Sequence, residues 1–249
     1  MCGHRRRNVR RDQNLVAQLS ALQRADAPNS HDRFAMEIGH VRKSYEGTEV
    51  YTDLHFQLLR GTFVALMGPI GSGKTTMINM FAGLERPTEG TITVMGQEIT
   101  RMDPDALAIF RTRTMGLVPQ VQTLIPELTA YENIELPLIF AKIPREERRR
   151  RVEKVMERVG VRGEASRKAG TMSVGERQMI SIARALVRDP PILLLDEPTE
   201  ALDPLMAEVV LGILRGDNMT EGRTIFVSTH DKRITELARR TLRVKKKIP

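Results

Sequence analysis

Gly68-Pro69-Ile70-Gly71-Ser72-Gly73-Lys74-Thr75 follows an apolar run at residues 63–67 and opens a helix-forming run that continues to about Gly83. It fits the pattern G-x-x-x-x-G-K-[ST] in the strand, loop and helix context that gives the pattern its meaning. Glycines let backbone N–H groups approach phosphate oxygens, and the positive end of the following helix adds to the attraction. We therefore predict a nucleotide-phosphate site with these contact residues: Gly68, Pro69, Gly71, Ser72, Gly73, Lys74, Thr75 and Thr76.

The side chains of this segment have different predicted roles. Lys74 has the length and charge to reach the β- and γ-phosphates, and the Thr75 hydroxyl is a ligand for Mg²⁺. Thr76 is placed to help hold the α-phosphate. The alternative is a glycine-rich turn with an exposed lysine, which the flanking strand and helix patterns disfavour.

Two carboxylates, Asp196 and Glu197, follow the apolar run at residues 192–195. Asp196 suits the magnesium shell, and Glu197 suits the orientation or deprotonation of an attacking water molecule. Alone, such a pair could simply cap the next turn. Beside a phosphate-binding loop it predicts an NTPase, in which positioning and electrostatics supply most of the catalysis.

Strands and helices alternate along the chain, which predicts an α/β fold with a mainly parallel core sheet. The all-apolar runs at residues 192–195 and 224–228 are typical of parallel strands covered on both faces. A first strand is expected around Met36 to Val41, and residues 91–95 alternate like an edge or hairpin strand. A helical subdomain is expected from about residue 103 to residue 190, where helix formers are abundant.

Composition and charge exclude several classes of protein. The chain has 249 residues, 39 Lys and Arg against 31 Asp and Glu, and 4% aromatic residues, so its core must be mostly aliphatic. A single cysteine excludes a disulfide scaffold or a cysteine-based zinc site. Apolar runs are too short to cross a membrane, and the N-terminus lacks the pattern of a secretory signal.

The formal charge of +8 is concentrated at the two ends. Residues 1–33 carry +4 and residues 239–249 carry +6, which leaves −2 for the remainder. A nucleic-acid-binding domain would carry its basic residues on the folded body, so no nucleic-acid partner is expected. We therefore predict a basic N-terminal extension at 1–33, an ATPase domain at 34–238 and a basic tail at 239–249.

Further motifs, in a fixed order after the phosphate loop, make the chain resemble the nucleotide-binding subunits of ABC transporters from about Phe34 onward. The matching segments are Leu117-Val118-Pro119-Gln120, Met172-Ser173-Val174-Gly175-Glu176, Ile182-Ala183-Arg184-Ala185-Leu186, Asp196-Glu197-Pro198-Thr199, Ala201-Leu202-Asp203 and Val227-Ser228-Thr229-His230-Asp231. The resemblance implies a P-loop NTPase fold with an antiparallel β subdomain and an inserted helical subdomain.

The resemblance also implies roles for individual residues. Gln120 would touch Mg²⁺ and the attacking water, Tyr45 would stack on adenine, and His230 would sense the γ-phosphate as a catalytic partner of Glu197 and Lys74. The metal ligands would be Thr75, Gln120 and Asp196. The cofactors implied are ATP and Mg²⁺.

The signature segment implies an assembly. Ser173, Gly175 and Glu176 would contact the γ-phosphate bound by a second subunit, and Asp203 would couple the two sites. This describes a head-to-tail homodimer around two ATP molecules. Val174 departs from the family pattern, because a β-branched side chain replaces a glycine where close approach is usual.

The segment at residues 128–138 resembles the lipoprotein-release and macrolide-efflux branch, whose ATPases serve a separate integral membrane permease. It implies a peripheral subunit on the cytoplasmic face of the membrane, with exposed apolar residues from Ile134 to Phe140 as candidates for the permease contact. A regulatory ABC ATPase of the cell-division-signalling type, which binds a permease-like partner without transporting a substrate, remains the alternative.

Two basic features carry weaker predictions. The run Arg148-Arg149-Arg150-Arg151 has acids at helical partner spacing, which favours a solvated, ion-paired helix face over a binding patch. The basic ends are less compensated, and they either contact anionic lipids at the membrane surface or form solubilising tails.

Overall fold

The computed structural model describes residues 33–244. The strands are β1 (Phe34–Tyr45), β2 (Thr48–Leu59), β3 (Phe63–Met67), β4 (Glu89–Val94), β5 (Gln97–Glu98), β6 (Met115–Val118), β7 (Ile192–Asp196), β8 (Thr224–Ser228) and β9 (Arg240–Arg243). The helices are α1 (Lys74–Phe81), α2 (Pro104–Thr114), α3 (Ala130–Phe140), α4 (Arg145–Arg158), α5 (Val174–Leu186), α6 (Pro204–Met219) and α7 (Lys232–Leu237). Two 3₁₀ turns, Arg162–Glu164 and Ala169–Thr171, precede α5.

A five-stranded parallel sheet in the order β6-β7-β8-β3-β9 forms the centre of the fold. Every residue of β7 and β8 is buried, as the all-apolar sequences of these strands predicted. Ser228 pairs with both Asp196 and Leu66, so the ends of β7, β8 and β3 lie side by side. This register brings the loops that follow these strands to one edge of the sheet.

A four-stranded antiparallel sheet, in the order β2-β1-β4-β5, packs against the first sheet. The strand expected near Met36 and the hairpin strand near residues 91–95 are confirmed as β1 and β4. Strand β2 was not predicted from the sequence. Its inward residues alternate with polar ones, as expected for a sheet with one solvated face.

The helical subdomain begins later than expected. We placed its start at about residue 103, but Met115–Val118 forms strand β6 of the parallel sheet, beside β7. A Cβ on Gly116 would lie 2.5 Å from the carbonyl oxygen of Ala185, so only glycine lets this short strand pack so closely under α5. The subdomain proper therefore follows residue 118 and contains α3, α4 and the two 3₁₀ turns, packed on α5.

The C-terminal boundary also differs from expectation. We placed residues 239–249 in a tail, but Arg240–Arg243 forms strand β9 at the edge of the parallel sheet, paired with β3. Leu242 is buried there, which supplies an apolar anchor for a strand otherwise rich in arginine. The N-terminal extension up to residue 32 and the lysines at 245–247, with their proposed lipid contact, lie outside the described residues.

Two buried clusters stabilise the fold. One includes Ile134 and Leu138 of α3 together with Leu193 and Leu195 of β7, and within it α3 packs on α5 and α4. The other lies between the two sheets around α1, where the Phe81 ring packs edge-on against Phe56 and Phe226. Both clusters are mostly aliphatic, as the low aromatic content predicted. Among residues 33–244, no helix combines the length and apolar character needed to cross a membrane.

The arginine run of α4 is ion-paired, as predicted. Arg149 pairs with Glu153 one turn later, and Arg150 and Arg151 both pair with Glu147. Arg148 departs from the pattern of pairing within the helix, because it reaches Glu135 of α3 at 2.7 Å. This contact joins the two helices, so the run serves the packing of the subdomain as well as its solvation.

Candidate active site

The functional residues predicted around the phosphate loop meet at the carboxyl edge of the parallel sheet. The loop follows β3, Asp196 ends β7, and His230 follows β8. Because parallel strands all end at the same edge, three segments far apart in sequence converge there. The convergence produces direct contacts among Lys74, Glu197 and His230.

The phosphate loop depends on glycine at two positions. Gly71 and Gly73 have φ angles of 78° and 95°, a region that favours glycine. A Cβ on Gly73 would also lie 2.7 Å from the Val50 side chain, and the Tyr51 hydroxyl donates a 3.0 Å hydrogen bond to the Gly73 carbonyl. Strand β2, which was not predicted from the sequence, therefore packs against the phosphate loop through Val50 and Tyr51.

The loop leaves polar groups that suit a phosphate ligand. Within residues 33–244, the buried hydroxyl of Ser72 has no hydrogen-bond partner. The Thr75 side chain, by contrast, is exposed at the start of α1. A bound triphosphate supplies acceptors for such donors and for the positive end of this helix.

Lys74 is the central cation of the site. Its Nζ donates to the Gly68 carbonyl at 2.7 Å and lies 3.2 Å from His230 Nε2 and 3.7 Å from Glu197 Oε1. The side chain is almost fully buried. A lysine held between a carboxylate and backbone carbonyls is ready to exchange these partners for phosphate oxygens.

Glu197 occupies a strained and buried position. Its φ angle of 48° is unusual for a residue with a side chain and costs roughly 1–3 kcal/mol, which the surroundings must offset. Its backbone N–H donates to the Ser228 carbonyl at 3.0 Å, and its Oε2 accepts from the His230 backbone N–H at 3.1 Å. The first bond holds the backbone of Glu197 beside the end of β8, and the second holds its carboxylate.

The electrostatics of Glu197 fit a proton acceptor. Burial raises the pKa of Glu197 above its ordinary value, and the nearby His230 and Lys74 offset part of this effect. Within the described part of the chain, its Oε1 has no hydrogen-bond partner, although His230 Nε2 lies 3.3 Å away. This oxygen is therefore the one with capacity to accept a proton from a water molecule.

The three predicted magnesium ligands are all oxygen donors, as this ion prefers. Asp196 is buried and accepts a hydrogen bond from the Ser228 hydroxyl. Gln120 is exposed, and its Nε2 donates to Glu200 at 3.1 Å, so its carbonyl end is the one suited to the ion. With the exposed Thr75 hydroxyl, the donor set fits Mg²⁺.

Tyr45 lies at the end of β1, next to α1. Its hydroxyl donates to Glu85 and, at 3.4 Å, to Thr76, and the Lys43 ammonium lies 4.6 Å from the centre of its ring. The residue is 42% exposed. The position beside Thr76 is compatible with a ring that stacks on a base whose phosphates lie in the loop.

The signature segment forms the N-terminus of α5. Ser173 caps the helix, its hydroxyl accepting from the Glu176 N–H at 3.2 Å, while the Glu176 carboxylate accepts from the Ser173 N–H at 2.7 Å. Arg167 also pairs with Glu176 at 2.6 Å, and these contacts lower the pKa of Glu176 to about 2. The carboxylate that we predicted to contact nucleotide is thus already used in capping the helix.

The segment and the phosphate loop are not joined in this chain. Among residues 33–244, no hydrogen bond or ion pair links Ser173, Gly175 or Glu176 to the loop. Val174 is 49% exposed at the helix start, and Gly175 packs near the Ala201 carbonyl. Asp203 caps α6 by accepting from the Met206 N–H at 2.9 Å.

Gln122 and Gln178, which were not among the predicted site residues, connect these motifs. Gln122 donates to the buried Gln178 of α5 at 2.7 Å, and Gln178 donates to the Pro198 carbonyl at 3.2 Å. The chain of bonds links the segment after Gln120 to the loop after Glu197. A glutamine buried within an amphipathic helix was the available sequence signal.

Comparison with known proteins agrees with this geometry. The family profile described as "ABC transporter" matches residues 51–200. A Bacillus subtilis protein named "Uncharacterized ABC transporter ATP-binding protein YvrO" is 38% identical over 211 residues, which cover 83% of this chain and 92% of that protein.

A longer relative is the "Macrolide export ATP-binding/permease protein MacB 1/2" of Paracoccus denitrificans. It is 40% identical over 208 residues, which cover 83% of this chain and 31% of that protein. The chain therefore spans about a third of the length of this relative. Its name agrees with the macrolide-efflux branch that residues 128–138 resemble.

Solved structures show the same fold. The dimeric structure of MJ0796, described as a bacterial ABC transporter cassette, superposes with a TM-score of 0.81 at 36% identity and covers 85% of this chain and 94% of that one. A second structure of MJ0796 is a post-hydrolysis dimer bound to ADP and Pi, with the same TM-score of 0.81. The chain belongs to the ABC transporter family and has the fold of its ATP-binding cassette.

Proposed function

We propose that this chain is the ATP-hydrolysing subunit of an ABC transporter, dimerises around two ATP molecules and drives a separate membrane permease. The observation that carries the proposal is the contact of Lys74 with both Glu197 and His230 at the edge of the parallel sheet. Hydrolysis of a phosphoanhydride requires a cation that binds phosphate and a base that accepts a proton from water. Lys74 supplies the cation, Glu197 supplies a carboxylate with a raised pKa, and the His230 imidazole lies beside both.

Each residue has a role in the proposed reaction. Lys74 binds the β- and γ-phosphates, His230 contacts the γ-phosphate, and Glu197 accepts a proton from the water that attacks the γ-phosphorus. Thr75, Gln120 and Asp196 would hold Mg²⁺, which neutralises charge on the phosphates. The bond between the β- and γ-phosphates breaks, and the products are ADP and inorganic phosphate.

The dimer is supported by the separation of the signature segment from the phosphate loop. Ser173 and Gly175 lie at a helix N-terminus, a natural anion site that this chain does not direct at its own loop. In a head-to-tail pair they would meet the γ-phosphate on the partner subunit, with Asp203 near the junction. The dimeric form of MJ0796 is consistent with this arrangement.

The proposed permease contact is narrower than the sequence suggested. We expected exposed apolar residues from Ile134 to Phe140, but Ile134 and Leu138 are fully buried in a cluster that also contains residues of α5, so that expectation was wrong for them. Ile139 and Phe140, at the end of α3, are 43% and 75% exposed. An exposed phenylalanine next to an exposed isoleucine suits an apolar contact with a partner helix.

The cellular position follows from this partner. The segment at residues 128–138 resembles ATPases that serve a separate integral membrane permease. The subunit would then be peripheral, on the cytoplasmic face where ATP is present. The name of MacB gives macrolides as the compounds that this relative exports. Macrolides are therefore one candidate class of substrate for the proposed transporter.

The test measures ATP hydrolysis by the purified chain alone and with detergent-solubilised membrane protein that co-purifies with it. Stimulation by the partner is expected for the wild type and should be lost in Phe140→Ser, while basal hydrolysis stays unchanged. Met219→Ser, which removes a similarly exposed apolar side chain from α6, is the matched control.

Failure of the wild type to hydrolyse ATP would contradict the proposed activity. Equal stimulation of wild type and Phe140→Ser would contradict only the proposed surface. A partner that stimulates hydrolysis without moving any substrate after reconstitution would favour the regulatory alternative.

A further inference from the structure

We propose that the antiparallel sheet carries a binding site for a divalent transition-metal ion, with Zn²⁺ as the fitting ion, formed by His40, Asp53 and His55. The ligand atoms of these three side chains all lie within 4.8 Å of one another. The group is separate from the predicted nucleotide contacts, and its residues have no role in the proposed hydrolysis.

The sheet places the three side chains on one face. Asp53 and His55 are two residues apart on β2 and therefore point to the same side. Leu54 and Phe56, which alternate with them, are buried in the core between the sheets. Asp53 and His55 consequently face away from the core, on the outer surface of the antiparallel sheet.

A bulge in β1 brings His40 to the same surface. The pairing of β1 with β2 shifts register between Ile38 and Val41, and His40 has a φ angle of 49°. An extra residue in one strand re-aims a side chain, as bulges near binding sites often do. A Cβ on Gly90 would lie 2.4 Å from the His40 carbonyl oxygen, so the neighbouring strand accepts this backbone only with glycine.

The distances suit shared coordination of one ion. His40 Nδ1 and His55 Nδ1 lie 2.9 Å and 3.4 Å from Asp53 Oδ1. Ligands about 2.0–2.2 Å from a tetrahedral zinc ion are roughly 3.3–3.6 Å apart, so only small side-chain rotations are needed. The imidazole rings of His40 and His55 stack at 5.0 Å between centroids, so the two potential ligands lie side by side.

One of the proposed ligand atoms is buried without a hydrogen-bond partner among the described residues. Among residues 33–244, the buried Nδ1 of His55 has no hydrogen-bond partner, although it lies near Asp53. A metal ion would satisfy this nitrogen. An open groove lined by His40, His55, Thr91 and Thr93 adjoins the cluster and gives room for water as a fourth ligand.

The donor set selects the class of ion. Two imidazoles and one carboxylate suit zinc and neighbouring transition metals, whereas Mg²⁺ and Ca²⁺ prefer oxygen ligands. The site would therefore not compete for the magnesium that accompanies ATP. Three protein ligands with one open position would clamp β1 to β2 on the outer face of the sheet.

The test is a titration of the full chain with Co²⁺, a spectroscopic substitute for Zn²⁺, followed by displacement with Zn²⁺. We expect one saturable equivalent with the visible absorption of tetrahedral cobalt. His55→Gln and Asp53→Asn should each weaken binding at least about 100-fold, since loss of supporting groups alone costs 10–100-fold. Zinc should raise the thermal midpoint of the wild type but not of His55→Gln.

Controls separate this cluster from other ligands of the chain. His31→Gln and Cys2→Ser remove potential ligands outside the described residues and should leave the titration unchanged. His40→Asn tests the site with a residue that tolerates a positive φ angle, in case His55→Gln does not fold.

Absence of saturable Co²⁺ binding by the wild type would overturn the proposal. Binding that survives His55→Gln and His40→Asn but disappears in His31→Gln or Cys2→Ser would overturn it as well. In either case Asp53 would act simply as a hydrogen-bond partner of His40.

Discussion

Lys74 Nζ lies 3.7 Å from Glu197 Oε1, and both side chains are more than nine-tenths buried. The residue proposed to bind phosphate and the residue proposed to activate water therefore share a charge contact. Bringing two buried charges together offsets part of the cost of removing each from water. The pair also implies that binding of phosphate by Lys74 changes the surroundings of the Glu197 carboxylate.

Glu197→Gln should abolish turnover while preserving ATP binding. Glutamine retains the shape of the side chain but cannot accept a proton, and loss of a general base lowers rates about 10²–10⁴-fold. Because ATP would bind but not be hydrolysed, a nucleotide-bound dimer should accumulate, and size-exclusion chromatography with ATP detects it. Full turnover by this variant would refute the role of Glu197, and Glu208→Gln on the exposed surface of α6 is the control.

Glu197→Gln should also change stability in a pH-dependent way. Burial raises the pKa of Glu197 in the folded state above the ordinary value of 4.5, so the charged form destabilises the fold. Near pH 4.5 the two proteins should melt at similar temperatures, and the variant should become the more stable as the pH rises through the raised pKa. Melting curves without nucleotide measure this, and a variant that is less stable at pH 8 would contradict it.

Tyr45→Ala should weaken ATP binding roughly tenfold, since stacking of a base on an aromatic ring is worth about 1–3 kcal/mol. Tyr45→Phe keeps the ring and loses only the contacts of its hydroxyl with Glu85 and Thr76, so its affinity should remain close to that of the wild type. Equilibrium binding of a fluorescent ATP analogue compares the two. Equal losses in both variants would assign the effect to the hydroxyl instead of stacking.

Glu176→Gln should destabilise the protein at neutral pH but not in acid. The contacts with Arg167 and Ser173 lower the pKa of Glu176 from 4.5 to about 2, so they stabilise the fold above pH 4.5. The advantage of the wild type should disappear as the pH falls from 4.5 to 2. Because the pair lies at the surface, we expect a difference below about 1 kcal/mol, measured by urea unfolding across this range.

A pH-independent difference for Glu176→Gln would show that the amide disturbs the helix cap itself. Ser173→Ala provides the comparison, because loss of a capping hydroxyl costs about 1 kcal/mol at any pH.

Asp217→Asn should be the most destabilising of these changes. Asp217 is fully buried on α6 and pairs with Arg158 and, at 2.6 Å, with the buried Arg223. Removal of the carboxylate leaves the Arg223 charge without its buried partner, at a cost of about 3–5 kcal/mol. Urea unfolding measures the loss, and Glu208→Gln, which breaks an exposed pair with Arg233, should change stability by less than about 0.5 kcal/mol.

Local patterns were sufficient for much of the architecture. The all-apolar strands and the helix that begins at Lys74 depend on interactions between near neighbours, so their sequences predicted them. Strand β2 was missed because its apolar residues alternate with charged and polar ones. Strand β6 was missed because four residues directly after a helix carry little periodicity.

The residues of the candidate site also fall into two groups, one predictable from local sequence and one that depends on the tertiary structure. Gly71, Gly73 and Lys74 belong to one local motif, whose glycines are required by backbone angles that a short sequence can signal. Their identity and order, and the acids at the end of an apolar strand, therefore predicted the phosphate chemistry without any knowledge of the fold.

Long-range geometry was needed for the rest. The contact of Lys74 with His230 joins residues 156 positions apart and exists because parallel strands β3 and β8 end at one edge. Packing likewise produces the burial that raises the pKa of Glu197 and leaves Phe140 exposed beside the buried Leu138. Strand register brings His40 close to Asp53 and His55. Such features depend on which distant segments become neighbours, and side-chain identities along the chain do not specify that.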